Sequence, residues 1–232
     1  MNIEEKVKEL ISKLTLEEKI KLLPTRQAEI PRLNIREFYI GGEAAHGVAW
    51  LGRATVFPQP IGLSSSFDRE LMKKIGDAVS KEARAYYYMR GKIGGLMLWA
   101  PTVDMLRDPR WGRTEEGYGE DPFLASEMAG AYIQGMQGDD PIYLKTAMTP
   151  KHFFANNNEK DRDKFSANID PRNMYEYYLE VFRRVIEKYR AQCIMTAYNA
   201  VNGIPCIINP IVKEVIKEKF GLEGCVVTDA AD

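Results

Sequence analysis

The sequence predicts an α/β fold built on a parallel sheet, and three observations carry that reading. Short apolar runs alternate with longer amphipathic stretches along the whole chain, the strand–helix–strand order of βα units. The segments that follow the apolar runs (41–54, 100–120, 149–168 and 198–206) are long and rich in Gly, Pro, Asn, Arg and carboxylates, whereas the returns from helix to strand are short. Composition is that of a globular chain, with 45% hydrophobic and 28% charged residues, so a core can form. A (β/α)8 barrel and a doubly wound sheet both fit. The loop asymmetry favours the barrel, whose strand-following loops build a site at one face. No glycine fingerprint helps the competitor. Gly117-Tyr118-Gly119-Glu120 lacks a third glycine and does not directly follow a strand, and no Gly-x4-Gly-Lys-Ser/Thr exists, so a nucleotide reading is weak.

The elements follow in order. Val7, Leu10, Ile11 and Leu14 fall at i, i+3, i+4 and i+7, one face of a helix. Thr15-Leu16-Glu17-Glu18 is a capping box that restarts a helix toward Leu23, and Pro24 stops it. Residues 37–40 read as a strand closed by Gly41-Gly42. Asp68 opens a helix that ends near Gly91, and 96–99 is a strand ended by Pro101. Asp121-Pro122 and Asp170-Pro171 place an N-cap before a proline at the first helical position. These helices run to Gly138 and to about Lys188. Strands are expected at 144–148, 193–196 and 225–228, and Asn209-Pro210 opens one more helix.

Charge excludes several functions. Lys+Arg is 32 and Asp+Glu 33, for a net charge of -1, which provides no general field for nucleic acid or an anionic membrane. No apolar run approaches the ~20 residues of a transmembrane helix. The start Met1-Asn2-Ile3-Glu4-Glu5-Lys6 lacks a signal peptide's basic and apolar regions. Three scattered cysteines make no disulfide framework. The expectation is a cytoplasmic, reduced protein without nucleic-acid or membrane partners.

The chemistry-bearing residues gather after the strands. The two histidines, His46 and His152, have no cysteines or carboxylates in step at ligand spacing, so no metal and no cofactor are expected. The loop Arg107–Pro122 mixes guanidinium groups, carboxylates, rings and glycines. That mixture suits a sugar, whose hydroxyls take charged partners while a ring face covers its C–H side. A solvated loop with internally paired charges is the plainer reading. Glu43, Lys151-His152 and Tyr198-Asn199 each follow a strand, and on a barrel all would face one pole. Cys225-Val226-Val227-Thr228-Asp229 delivers a carboxylate at a strand end. Spacing alone favours the plainer reading, in which Thr228 or Asp229 caps a following helix.

These residues resemble the N-terminal barrel domain of glycoside hydrolase family 3, the β-glucosidase and β-xylosidase family. The resemblance rests on Leu14-Thr15-Leu16-Glu17-Glu18-Lys19-Ile20, Asp108-Pro109-Arg110-Trp111-Gly112-Arg113, Glu116-Gly117-Tyr118-Gly119-Glu120-Asp121-Pro122, Lys151-His152-Phe153, Tyr198-Asn199-Ala200-Val201-Asn202-Gly203-Ile204-Pro205 and Val227-Thr228-Asp229. It implies that Asp229 is the nucleophile, reversing the cap reading. It also implies that Arg113, Lys151 and His152 hold sugar hydroxyls, that Tyr198 stands beside the nucleophile, and that Glu43 replaces the aspartate that binds the far hydroxyls of glucose in many members. Gly42-Glu43-Ala44-Ala45-His46-Gly47 resembles the xylosidase-like branch as well as some β-glucosidases. A glutamate reaches one methylene further and could crowd the C6 hydroxymethyl of glucose. Lys151-His152-Phe153-Phe154-Ala155-Asn156 lacks the second histidine of the β-N-acetylglucosaminidases, which disfavours that branch.

The resemblance implies a retaining, exo-acting hydrolase that removes β-linked glucose from oligosaccharides or glucosides. The alternatives are a β-xylosidase/α-arabinofuranosidase or, for the chain by itself, a non-catalytic sugar-binding piece. In these branches the acid/base is a glutamate in a following domain. Residues 1–232 are therefore expected to be the N-terminal portion of a (β/α)8 domain incomplete at its C-terminus, with the remainder of the enzyme as partner and a β-glycoside as substrate.

Overall fold

A computed structural model describes residues 3–230. Two N-terminal helices, α1 (Ile3–Lys13) and α2 (Leu16–Lys21), lead in. The capping box of α2 forms as the sequence requires: Thr15 Oγ1 accepts from the Glu18 amide at 3.2 Å, and Glu18 Oε2 accepts from the Thr15 amide at 2.9 Å. Next come β1 (Arg26–Gln27), β2 (Phe38–Tyr39), α3 (Pro60–Ser64), α4 (Arg69–Met89), β3 (Met97–Leu98), α5 (Pro122–Gln137), β4 (Ala147–Met148) and β5 (Ser166–Ala167). The helix expected after Asp170 is α6 (Pro171–Asn173), a π-turn over Met174–Tyr178, and α7 (Leu179–Glu187) in succession. Then follow β6 (Ile194–Met195), β7 (Ala200–Val201), β8 (Ile204–Pro205), a helical segment from Pro210 to Lys217, and β9 (Val226–Val227).

Helix starts obey local chemistry. Asp68, Asp121 and Asp170 accept through their carboxylates from the Leu71, Leu124 and Asn173 amides at 2.9, 2.7 and 3.1 Å. Each thereby satisfies one of the unpaired donors of a first turn.

The strands are parallel and follow chain order. Met97 pairs with Ala147 and Leu98 with Met148, while Ile194 pairs with Val226 and Met195 with Val227. The Trp99 amide donates to the Gly42 carbonyl at 2.8 Å, joining β3 to the end of β2. Cys193 and Met195 donate to Met148 and Pro150 at 3.0 and 3.1 Å, joining β6 to β4. Parallel bridges at Thr102–Lys151 and Phe153–Thr196 extend the same neighbours. The spatial order is therefore β2–β3–β4–β6–β9, and all these strands end toward one side. β1 pairs antiparallel with β2, and β7–β8 is an Asn202-Gly203 hairpin beside β5. Both turn residues have positive φ, 50° and 83°, as a tight two-residue hairpin turn demands.

The helices lie against these strands and against one another. Gly76 of α4 and Gly135 of α5 meet at a close crossing. A Cβ on Gly135 would lie 2.1 Å from the Lys73 carbonyl oxygen, and one on Gly76 would lie 2.4 Å from that of Tyr132. At the other face of α5, buried Glu127 takes Arg69 of α4, Arg184 of α7 and Lys188 at 3.1, 3.3 and 2.6 Å. A buried carboxylate needs such partners. Together the crossing and the ion pairs fix α4, α5 and α7 behind the strands. No helix among the described residues is long and apolar enough to cross a membrane.

Candidate active site

The segments after β2, β3, β4 and β9 bring five of the six expected residues into one cluster, in which Lys151 meets Glu43 and the adjacent His152 meets Arg113 and Asp229. Lys151, at the end of β4, is buried, and its Nζ donates to Glu43 Oε1 at 2.7 Å across from the β2 loop. His152 is 2% exposed. Its Nε2 lies 3.6 Å from Asp229 Oδ2 and 3.5 Å from Arg113 Nη2. The first distance is longer than a hydrogen bond, and Asp229 Oδ1 accepts from the Ala230 amide at 2.7 Å. The Asp229 side chain is 16% exposed, which fits a group at the rim of a cleft. Tyr198 stands slightly apart. Its hydroxyl donates to the Ala230 carbonyl at 2.5 Å, one residue beyond Asp229, and the Arg162 guanidinium covers its ring at 4.4 Å.

Two carboxylates outside the expected set organise this cluster. Glu116 takes Arg113 in a fork, Nε to Oε1 at 2.6 Å and Nη2 to Oε2 at 2.7 Å, the bidentate geometry that fixes a guanidinium plane. Burial works against both charges. The pairing outweighs it, so the Glu116 carboxyl is held below its usual range and the Arg113 pKa is raised. Asp104 is buried, and its Oδ2 accepts from the His152 amide at 3.2 Å and faces His152 Nδ1 at 2.8 Å. Asp104 Oδ1 has no partner.

Burial dominates the titration of the centre. It pushes the Asp104 carboxyl well above the usual carboxylate range. It pushes His152 down to about 3, helped by the Lys151 and Arg113 charges and opposed by Asp229 and Glu116. The imidazole is thus neutral near pH 7. Burial also raises Glu43, against the pull of Lys151.

Asp104 and Glu116 left signals that a reading of the sequence could have used. Asp104 is a single carboxylate inside the apolar run Val103–Leu106, and a charge there demands a partner. Glu116 stands three residues after Arg113, within pairing reach on a helical turn.

The loop Arg107–Pro122 divides. Asp108 and Arg110 pair with each other at the surface, 2.6 Å apart, as the plainer reading expected, whereas Arg113 and Glu116 enter the cluster. The ring face expected from this loop is absent. Trp111 and Tyr118 are 6% and 1% exposed, and Trp111 Nε1 donates to Glu159 at 3.0 Å, so both rings belong to the packing. His46 stays in its own loop, with Nδ1 2.7 Å from the Phe57 carbonyl. Among the described residues, no group of three His, Cys, Asp or Glu side chains is placed to hold a metal ion.

Parallel strands that end on a cluster of carboxylates, cations and one neutral imidazole define an α/β domain with a polar, charge-lined cluster at its strand ends. Comparison with known proteins makes the assignment specific. Residues 6–232 match the glycosyl hydrolase family 3 N-terminal domain, and the chain belongs to that family. Beta-D-xylosidase 1 of Arabidopsis thaliana is 38% identical over 240 residues, covering 97% of this chain and 31% of the plant protein. A family 3 exo-β-xylosidase solved with a xylobiose aziridine activity-based probe superposes with a TM-score of 0.91 at 29% identity, over 99% of this chain and 32% of that one. β-Glucosidase 3B from Thermotoga neapolitana, solved with glucose, superposes at 0.86 and 31% identity over 97% of this chain and 34% of that one. The chain therefore spans about a third of each relative's length.

Proposed function

We propose that the chain is the sugar-holding part of a retaining, exo-acting hydrolase of β-linked xylose, with Asp229 as nucleophile. The observation that carries this is the placement of Asp229 Oδ2 at 3.6 Å from His152 Nε2, which also lies 3.5 Å from Arg113 Nη2. The order β2–β3–β4–β6–β9 has no reversal of the kind a doubly wound sheet needs. It supports a reading of these strands as consecutive members of a (β/α)8 barrel, with the cluster at its strand-end pole. The resemblance in sequence put glucose first. The plant xylosidase and the xylosidase structure with the higher superposition support the reverse order, and β-glucosidase is the second reading, supported by the Thermotoga enzyme.

The residues divide the work. Asp229 attacks the anomeric carbon and forms a glycosyl ester, which water then cleaves. Arg113 gives two of its donors to Glu116 and keeps Nη1 for a hydroxyl. Lys151 gives one donor to Glu43 and has two left. Glu43, one methylene longer than aspartate, fills space that the hydroxymethyl of glucose would occupy and that a pentose leaves open. The group that protonates the leaving oxygen, about 5–5.5 Å from the nucleophile in a retaining enzyme, comes from the rest of the protein.

A 2-deoxy-2-fluoroglycosyl fluoride tests the assignment, because fluoride leaves without a strong acid and the fluorine slows hydrolysis of the ester. Incubation with the xylosyl and glucosyl reagents, followed by peptide mapping, should place one fluoroglycosyl group on Asp229, faster from the xylosyl reagent. Label on another residue, or equal labelling of Asp229→Ala, overturns the nucleophile. Faster labelling by the glucosyl reagent overturns the choice of sugar alone.

A further inference from the structure

The segments that leave β3 and β4 continue side by side. Val103 donates its amide to the Lys151 carbonyl at 2.7 Å, and the Lys151 amide donates to the Pro101 carbonyl at 3.0 Å. This pairing, with the parallel bridge at Thr102–Lys151, sets Asp104 beside His152. Val103 and Met105 on either side are buried, as Asp104 itself is. The Asp104 carboxyl must therefore find its hydrogen bonds within the protein.

A neutral imidazole has one N–H and one bare nitrogen, and the bond made by one decides the state of the other. Three polar groups face the His152 ring. At Nε2 the two neighbours ask for opposite things: Arg113 Nη2 at 3.5 Å is a donor, and Asp229 Oδ2 at 3.6 Å is an acceptor. Neither is at ordinary bonding length. The third contact, 2.8 Å between Nδ1 and Asp104 Oδ2, is, so Nδ1 decides. The same Oδ2 already accepts from the His152 amide at 3.2 Å, which marks it as the acceptor of both His152 nitrogens. Burial raises the Asp104 carboxyl, with the His152 amide and the Arg113 and Lys151 charges acting against it. Asp104 Oδ1 has no partner, so a proton taken up there leaves Oδ2 an acceptor still.

Resting on the sugar-holding reading above, we infer that Asp104 is a positioning residue that fixes His152 as the Nδ1–H tautomer, so that Nε2 accepts the proton of a sugar hydroxyl. That hydroxyl takes a hydrogen bond from the Nη1 that Arg113 keeps and gives one to Nε2, using both of its capacities. Glu116 holds the guanidinium plane from behind. With Nε2 protonated instead, both neighbours would donate. The hydroxyl would then have to give its proton to Asp229, whose oxygen must stay free to attack.

The chain has two histidines, His46 and His152, so ¹⁵N-labelled histidine and long-range ¹H–¹⁵N correlation read the tautomer directly. His46→Gln assigns the signals. At pH 7 the 232-residue chain should show His152 with a protonated Nδ1 and a bare Nε2. Asp104→Asn should keep that pattern, because its amide oxygen is still an acceptor, and Asp104→Leu should replace it with an Nε2–H or mixed pattern. Labelling by 2-deoxy-2-fluoroxylosyl fluoride reads the consequence. Asp104→Leu should raise the concentration for half-maximal labelling roughly 3–10-fold, the worth of one hydrogen bond, and Asp104→Asn should restore it. An Nε2–H pattern in the unaltered chain, an unchanged Nδ1–H pattern in Asp104→Leu, or equal loss in the Asn and Leu variants would each overturn the inference. The spectra of the unaltered chain and Asp104→Asn decide if Asp104→Leu fails to fold. No labelling of the unaltered chain would overturn the sugar reading, and the spectrum would still decide the tautomer.

Discussion

Burial shifts Asp104 and His152, 2.8 Å apart, in opposite directions, and the two shifts act oppositely on stability as pH changes. A raised carboxyl contributes stability that is present below its unfolded pKa of 3.8 and is lost as pH rises toward the folded value. A depressed imidazole contributes stability that is present above 6.5 and is lost as pH falls toward about 3. Between pH 4 and 6.5 the two slopes have opposite signs. Asp104→Asn removes one of them, so relative to wild type the variant should gain up to about 1.4 kcal/mol per pH unit as pH rises through this window. Urea midpoints at pH 4.5, 5.5 and 6.5 measure it, and parallel wild-type and variant curves would refute the raised Asp104 carboxyl. The Lys151–Glu43 pair gives a second test. Lys151→Met leaves Glu43 without its cation, which should cost on the order of 3 kcal/mol. Adding Glu43→Gln should restore most of that in a double-mutant cycle; an additive double mutant would count against a buried pair. Of this cluster, the cations and Asp229 were legible because motif and strand-end position mark them. Asp104 carried a weaker signal, a single carboxylate in an apolar run, and its partner His152, 48 residues away, is set only by the fold.

The helices were legible wherever the signal was local. Asp68, Asp121 and Asp170 each cap within three residues of themselves, so the sequence contains both partners. The tight Asn202-Gly203 hairpin carried a local signal too, which a reading focused on βα units passes over. The close approach of α4 to α5 was hidden, because Gly76 and Gly135 look like two weak positions in helices until a second backbone fills the space of their missing side chains. The π-turn over Met174–Tyr178 has no sequence signature that separates it from a continuous α-helix. The crossing yields a prediction at this scale. Gly135→Ala places a methyl 2.1 Å from the Lys73 carbonyl oxygen, and backbone cannot yield as a side chain can. The cost should reach or exceed the roughly 1–3 kcal/mol of ordinary overpacking, despite alanine's better helix propensity. Gly112→Ala, with nothing within 4 Å of its added methyl, is the control. Thermal melts of the two variants should separate by several degrees, and equal melts would show that the helices can part at no cost.

Across the whole molecule, net charge is -1, yet Arg113, Lys151, Glu43, Glu116, Asp104 and Asp229 are concentrated at one set of strand ends. Such a site can grip an uncharged, hydroxyl-rich ligand by fixed dipoles and charges without drawing polyanions to the surface. The family resemblance implies an acid/base outside these residues, and that division of labour predicts how the 232-residue chain treats different leaving groups. Formation of the glycosyl ester needs little protonation when the leaving group is a dinitrophenolate and much when it is a sugar alkoxide. General acid help is typically worth ~10²–10⁴-fold. The chain should therefore release dinitrophenol from the β-xyloside in a detectable burst while cleaving xylobiose at least ~10²-fold more slowly than the burst. Asp229→Ala should abolish the burst without changing the melting profile. Comparable rates on the two substrates would mean that an acid lies within these 232 residues. Glu43, raised by burial, is then the first group to replace, and loss of xylobiose cleavage in Glu43→Gln with the burst intact would assign it that role.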